Sequence, residues 1–314
     1  MPGKLLPSLL QNNVLQFSGA QRNDLLIGGG IGEDAALILT PKGTLAAASD
    51  PVTGASAHAG KLLVHINAND IACKGANPSW LIVTMIVPDN LGLKFIHDTM
   101  HEIHDTCSEL GIAIAGGHTE LTQKYDQPVL SATMLGMTNY TLSAKNIKPG
   151  DIVLAAGHSG LEGMSIIAHD KPELFAEIFS SEELAEIRSW QEDLSIIKPA
   201  KILREFARYM HDPTEGGLNG ALLETSQACG LGVEVFSDSL PVSPLTMRAA
   251  QTLGFNPFNL ISSGMLLAVI PPDRIAQAQE ALNHAGISSS KIAKFISGTS
   301  SVNLDAHEEL WRFL

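Results

Sequence analysis

Apolar spacing divides this 314-residue chain into strands and helices of ordinary length. Apolar runs at Ala35–Leu39 and Leu45–Ala48 read as strands, the second ended by Ser49-Asp50-Pro51. Ala59–Ala76 reads as a helix, with Gly75 near its C-terminal cap and Pro78 just beyond. Trp80–Val87 is a continuous apolar run between two prolines, which predicts a buried strand. Leu93, Ile96, Met100, Ile103, Cys107 and Leu110 keep the helical period through Leu93–Leu110. Ile112–Ala115 predicts a short strand running into a polar loop over 116–120, and Val129–Gly136 predicts another strand. Beyond a turn at Lys148-Pro149-Gly150-Asp151, Ile152–Ala156 and Gly232–Phe236 read as strands. Ile261–Ile270, interrupted at Ser262-Ser263-Gly264, and Ala293–Ile296 complete the set. Helices are predicted from about Met164, within the charged tract 171–208, and at Asn219–Ala228, Thr246–Gly254 and Arg274–Ala285. Residues 1–27 are mixed, with a short amphipathic piece around Leu5–Leu15. The alternation predicts two α/β domains, residues 1–147 and 148–314.

Composition narrows the function classes. A net charge of −13 argues against nucleic acid or an anionic membrane as partner. The three cysteines, Cys73, Cys107 and Cys229, are widely spaced and odd in number. They form neither a disulfide framework nor a zinc pattern, so a reducing compartment is expected. The first residues carry no signal-peptide pattern, and no run approaches the ~18 apolar residues of a membrane span. These features together predict a cytoplasmic protein.

The candidate chemistry starts at Gly28-Gly29-Gly30-Ile31-Gly32-Glu33-Asp34. Glycines let the backbone approach a ligand and leave N–H groups facing it. Carboxylates repel an anion unless a hard cation such as Mg²⁺ sits between. The stretch therefore fits a metal-bridged polyphosphate, and equally a surface turn before a strand. No Gly-Lys-Ser/Thr follows, so it is not a P-loop, and the dinucleotide spacing fails. Asp50 at a strand end reads first as a turn former before Pro51. Asn67-Ala68-Asn69-Asp70 places poor helix formers inside a helix, a local conflict that favours a functional reading. Gly116-Gly117-His118-Thr119-Glu120 follows a strand, and Asp212-Pro213-Thr214-Glu215-Gly216-Gly217 precedes a helix. Asp212 or Thr214 is the expected cap there, and the N–H groups at that helix start suit an anion. His97, His101 and His104 share a helix face, where a solvated surface outweighs a metal site. Acids recurring at element ends, without a histidine or cysteine ligand pattern, suggest oxygen ligands for Mg²⁺ and an ATP-using enzyme of non-P-loop type.

These stretches, in order, resemble the aminoimidazole ribonucleotide (AIR) synthetase superfamily. The resemblance rests on Gly32-Glu33-Asp34-Ala35-Ala36, Asn69-Asp70-Ile71-Ala72, Gly75-Ala76-Asn77-Pro78, Gly116-Gly117-His118-Thr119, Lys148-Pro149-Gly150-Asp151 and Asp212–Leu218. The later stretches look most like the hydrogenase maturation protein HypE, a carbamoyl dehydratase. Asn77-Pro78-Ser79-Trp80-Leu81 and Val87-Pro88-Asp89 look as much like thiamine-monophosphate kinase. The resemblance implies an N-terminal α/β domain forming a barrel across a homodimer, and a C-terminal α+β sandwich. It implies ATP in the cleft, with Glu33, Asp34, Asp50, Asp70 and Glu120 around Mg²⁺ and Asp70 and Asp212 in catalytic positions. It implies Gly30, Gly32, Lys61, Asn69, Gly117, Thr119, Thr214 and Gly216 as nucleotide contacts. The implied chemistry is transfer of the γ-phosphoryl group to a substrate heteroatom, with a small-molecule kinase as the alternative. A third reading is a catalytically inactive nucleotide-binding subunit of a protein partner. Two departures stand out. His118 replaces the family's usual acid, and no cysteine follows Cys229, where HypE carries a C-terminal acceptor cysteine.

Overall fold

The computed structural model describes residues 23–28, 30–53, 57–300 and 304–314, together with Ser8 and Gln11. Apart from Ser8 and Gln11, the amphipathic piece around Leu5–Leu15 lies outside the described residues, as does Gly29 of the glycine run.

The first half is a six-stranded sheet with two helices on one face. Its elements are β1 (Leu25–Ile27), β2 (Ala36–Thr40), β3 (Gly43–Val52), α1 (Ala59–Cys73), β4 (Asn77–Pro88), α2 (Gly92–Leu110), β5 (Ala113–Thr122) and β6 (Val129–Thr138). The strand order is β1-β2-β3-β6-β4-β5, and only β4 and β5 run parallel, joined through α2. Period-two alternation turns Leu81, Val83, Met85, Leu130, Ala132 and Met134 inward, where Val64, Ala68 and Ile71 of α1 and Ile103 and Cys107 of α2 cover them.

Three expectations change here. β3 does not stop at Ser49 but carries Asp50 and Pro51, paired with Ala132 and Ser131 of β6. β2 reaches only to Ala47, so Pro51 sits where one side of the strand is open, as at a sheet edge. The polar loop over 116–120 is the body of β5, an exposed edge strand beside β4. β4 is buried on one face only. Trp80 and Ile82 are exposed on the other face, as is Val129 of β6, giving an open apolar surface.

The second half comprises β7 (Ile152–Ala156), α3 (Leu161–Asp170), α4 (Ser181–Ser189), α5 (Ile197–Leu203), β8 (Tyr209–His211), α6 (Gly217–Cys229), β9 (Gly232–Val235), α7 (Pro244–Leu253), β10 (Leu266–Ile270), α8 (Ile275–His284) and β11 (Ser289–Ile296). Its antiparallel sheet has the order β8-β10-β7-β11-β9. Val153 and Ala155 face α6 through Leu218 and Leu222. Leu154 and Ala156 face α5 and α8 through Leu203 and Leu282. Residues 261–265 form a turn ahead of β10 rather than an interrupted strand, so the run of predicted strand begins only at Leu266. No helix among the described residues is long and apolar enough to cross a membrane.

Helix α1 joins the halves. It is buried on nearly all sides, as a helix inside a core must be. Leu63 and Ile71 pack in the first core, Leu62 among α3, α4 and α7, and Ala72 and Cys73 against the second sheet. Its asparagines are explained by this position. Asn67 accepts from the backbone N–H of Asp50 at 3.0 Å and donates to that residue's carbonyl at 3.2 Å. Asn69 donates to the Leu194 carbonyl at 2.9 Å and accepts from the Ile196 N–H at 3.0 Å. Each amide satisfies backbone groups of a passing segment that no regular ladder reaches. Asn69→Ala strands a buried carbonyl and a buried N–H, at a cost of about 2–4 kcal/mol. Denaturant unfolding should show that loss, and a variant as stable as the parent would overturn the clamp assignment.

Candidate functional site

Four aspartates meet where α1 passes between the sheets. Asp34 precedes β2, Asp50 lies in β3, Asp70 in the last turn of α1, and Asp212 follows β8 directly. Asp70 and Asp212 are buried, and Asp34's side chain is nearly so. Asp70 shares a hydrogen bond with Asp50, and Asp212, Asp50 and Asp34 all act on its charge. Burial first, then these three neighbours, push the Asp70 carboxyl well above the usual carboxylate range. Burial first, then Asp34, pushes Asp212 up to about 7. One oxygen on each of two members, Asp34 Oδ2 and Asp212 Oδ2, is buried without a hydrogen-bond partner. Buried carboxylate oxygens left without partners in one cluster are the donor arrangement that a hard divalent cation neutralises.

The shell around them is partly cationic. His211 Nδ1 lies 2.6 Å from Asp34 Oδ1, and its Nε2 lies 3.3 Å from Glu224 of α6. Burial alone would lower this imidazole, but Asp34 and Glu224 push it up to about 10. Cys73, one turn beyond Asp70, donates its thiol to Asp212 Oδ1 at 3.6 Å. Both residues escape pattern reading, although spacing held a trace of each: Cys73 is at i+3 from Asp70, and His211 neighbours Asp212.

The other sequence-derived positions scatter. Glu33 turns away from the aspartates. Its carboxylate takes the buried Lys74 ammonium, the Ser143 hydroxyl at 2.6 Å and the Ala144 N–H at 3.3 Å. Gly30 accepts from the Glu33 N–H in a tight turn at 3.2 Å. Gly32 has φ +71°, and a Cβ there would come 3.0 Å from Ala228 and 3.2 Å from the Glu224 carbonyl, so the glycine lets this stretch lie on α6. The Tyr209 hydroxyl donates to the Gly32 carbonyl and pins it. Lys61 pairs with Glu192 of the second half, and Asn69 is the backbone clamp described above. Gly117, Thr119 and Glu120 lie on edge strand β5; a Cβ at Gly117 would come 2.0 Å from the Val83 carbonyl. Glu120 pairs with His118 at 3.1 Å, both exposed and outside the aspartate cluster. His97 and His101 are also exposed, against Asp98 and Asp105, as a solvated face predicts.

The start of α6 corrects another expectation. Neither Asp212 nor Thr214 caps it; Gly216 does, with φ +81° and no side-chain cap. Thr214 closes the preceding turn by accepting from the Gly217 N–H at 2.9 Å. The anion at this helix start is internal. Glu308 Oε2 accepts from Gly216 N–H at 2.6 Å, and Oε1 accepts from Ile261 at 3.1 Å and Leu310 at 2.7 Å. Burial still pushes this carboxyl up to about 7. A separate hollow of about 790 Å³ is lined by Lys42, Trp80, Tyr140 and Arg204, and gathers none of the aspartates.

Comparison with known proteins agrees with this architecture. Residues 32–138 match the AIR synthase related protein N-terminal domain, and residues 148–304 match the C-terminal domain of the same family. The carbamoyl dehydratase HypE of Escherichia coli is 28% identical over 242 residues, which cover 74% of this chain and 68% of that protein. A putative hydrogenase expression/formation protein of Methanocaldococcus jannaschii is 26% identical over 227 residues, 71% of this chain. The chain spans 65% of that relative's length. Among solved structures, a hydrogenase maturation protein HypE in complex with ATP superposes with TM-score 0.73 at 21% identity, over 98% of this chain and 96% of that one. AaThiL complexed with AMPPCP and TMP gives TM-score 0.71 at 20% identity, covering 86% of each chain. With both of its halves matched in order, the chain belongs to the AIR synthase related protein family.

Proposed function

We propose that this chain binds Mg-ATP at the aspartate cluster and transfers the γ-phosphoryl group to a heteroatom of a small substrate, in the manner of HypE-like members of the family. The observation that carries this reading is the convergence of Asp34, Asp50, Asp70 and Asp212 from both halves into one site, buried apart from Asp50 at its exposed rim, with two carboxylate oxygens left unsatisfied. Like charges are brought together at this cost where a cation is to be held. The bound Mg²⁺ would neutralise the phosphate charge and orient the γ-phosphoryl group. The chain's own part is positioning. Asn67 fixes the Asp50 backbone, His211 fixes Asp34, and α1 sets Asp70 against Asp212. The α6 start is already occupied by Glu308, so the phosphates are assigned to the cluster rather than to that helix end. Two structural neighbours carry ATP or AMPPCP by their own descriptions, which supports a nucleotide here.

The same reading includes a homodimer. Trp80, Ile82 and Val129 form an open apolar face beside the unpaired edge of β5, and a second copy closing on that face would bury both. Gly117, Thr119 and Glu120 lie on that edge strand, so in this reading they serve across the dimer rather than within one chain.

Asp70→Asn tests the site by two opposite signs. Removing one of four crowded carboxyls should raise metal-free stability, while Mg-ATP affinity falls at least about tenfold, ~1.4 kcal/mol. Calorimetric titration with a non-hydrolysable ATP analogue, with and without Mg²⁺, reads the affinity; unchanged binding overturns the assignment. A pH series tests the charge crowding. Asp212 stands at about 7 in the fold against an ordinary 3.8. Its contribution to metal-free stability is therefore fully present below about pH 4 and lost as pH rises through about 7. Mg²⁺ should accordingly raise Tm more at about pH 8 than at about pH 5, and Asp212→Asn should shrink that difference. Equal Mg²⁺ shifts at both pH values in the parent would sink the reading.

A further inference from the structure

The thiol of Cys73 has no place in a pure magnesium site, and its surroundings are not those of an ordinary core cysteine. On one side it packs with Ala72 against the second sheet. On the other its sulfur faces carboxylates. The ligand atoms of Asp34, Cys73 and Asp212 all lie within 4.8 Å of one another. Cys73 is 0% exposed and Asp212 1%. Asp212 Oδ2 is buried with no hydrogen-bond partner, an anionic oxygen left open in this cluster. Cys107 offers the contrast: it is buried in the first core among apolar side chains such as Ile103.

The geometry points to a site for a thiophilic divalent cation of the zinc class at Asp34, Cys73 and Asp212, built into the inner end of the aspartate cluster. A tetrahedral zinc with bond lengths of about 2.3 Å to sulfur and 2.0 Å to oxygen sets its S and O ligands about 3.5 Å apart. The Cys73 Sγ to Asp212 Oδ1 separation is 3.6 Å. Magnesium demands an oxygen octahedron and has no use for the sulfur, whereas a mixed thiolate–carboxylate set suits a borderline-soft ion. A supporting shell is present. Asp34 Oδ1 is held by His211, which is held in turn by Glu224, the carboxylate–histidine support that orients metal ligands. Binding replaces the S–H bond with a metal–sulfur bond, and the thiol proton leaves to solvent. In the metal-free chain the open oxygens of Asp34 and Asp212 are available to Mg²⁺ as well; once the thiophilic ion holds them, Asp50 and Asp70 remain for the magnesium that accompanies the nucleotide. The inference rests on the reading of this cluster as a cation site, and adds the identity of the ion at its inner end.

Cadmium is the probe, because its thiolate complex has an ultraviolet charge-transfer band. The metal-free full chain should develop that band at one equivalent of Cd²⁺. Zn²⁺ should abolish it, and excess Mg²⁺ should leave it in place. Cys73→Ser and Cys73→Ala should lose the band, Cys107→Ser should keep it, and Asp212→Asn should weaken Cd²⁺ affinity at least about tenfold. Calorimetry in buffers of different ionisation enthalpy should show at least one proton released per ion bound, from the Cys73 thiol and from whatever fraction of Asp212 is protonated. A band that survives in Cys73→Ser, or that Mg²⁺ displaces as readily as Zn²⁺, overturns the proposal. Circular dichroism checks the folding of each variant. Should both Cys73 variants unfold, Asp212→Asn, which keeps every cysteine, decides alone: unchanged Cd²⁺ affinity overturns the site. The same preparations titrated with the ATP analogue and Mg²⁺ separate the two claims. Loss of nucleotide binding with an intact Cys73 band removes the phosphoryl-transfer reading and leaves the metal site. Magnesium-dependent nucleotide binding without the band does the reverse.

Discussion

Taking Asp34, Asp70 and Asp212 out of water and setting them against one another, with Asp50 at the exposed rim, costs free energy that the fold has to offset elsewhere. Two responses are visible. The carboxyls of Asp70 and Asp212 are driven toward their neutral forms, and His211 is held as a buried cation between Asp34 and Glu224. Neither response satisfies Asp34 Oδ2 and Asp212 Oδ2. A cation would settle those oxygens directly, and its binding would then be coupled to folding stability.

The rest of the architecture serves that convergence. Helix α1 has to be buried on nearly every side because it touches both cores and carries one of the cluster's two buried acids. A helix in that position cannot turn its polar residues to solvent. Its asparagines are tied instead to the backbone of Asp50 and to the segment around Leu194 and Ile196. Lys74 draws Glu33 aside toward Ser143, which keeps a fifth carboxylate off an already crowded site. At the opposite end of the same logic, Glu308 supplies the negative charge that the start of α6 favours. A phosphate there would have to displace it.

Likeness to other proteins places the fold more firmly than the chemistry. Both family domains are matched, and the superpositions with HypE and AaThiL extend over most of the chain. In the proposed reading the chemistry depends on individual side chains around the cluster. Cys73 is the plainest case, a soft donor placed among hard ones. The open face of Trp80, Ile82 and Val129 shows the same economy at the level of assembly, with a sheet covered by helices on one side only.

Local patterns were enough to determine most elements. The spans of α2 and β7 and the glycine after α1 all follow from periodicity and capping chemistry, which act over a few residues, whereas the continuous apolar run of β4 did not reveal that one of its faces is open. The acids at 34, 70 and 212 stood out locally, because glycine-rich or helix-breaking surroundings made them conspicuous, whereas Asp50 read first as a turn former before Pro51. What no local pattern carries is which of several acids share a site. Glu33 and Asp34 are adjacent in the chain, yet one is drawn to Lys74 and the other joins the cluster. Glu120 looked like a fifth ligand and lies instead on an edge strand, because β5 continues through the glycine pair where a loop was expected. Cys73 read as part of an apolar helix face, and only the second sheet, bringing Asp212 up to it, gave its sulfur a polar neighbour. Spacing along the chain fixed periodicity and turns; the meeting of charges from distant segments was decided only by how the two cores pack around α1.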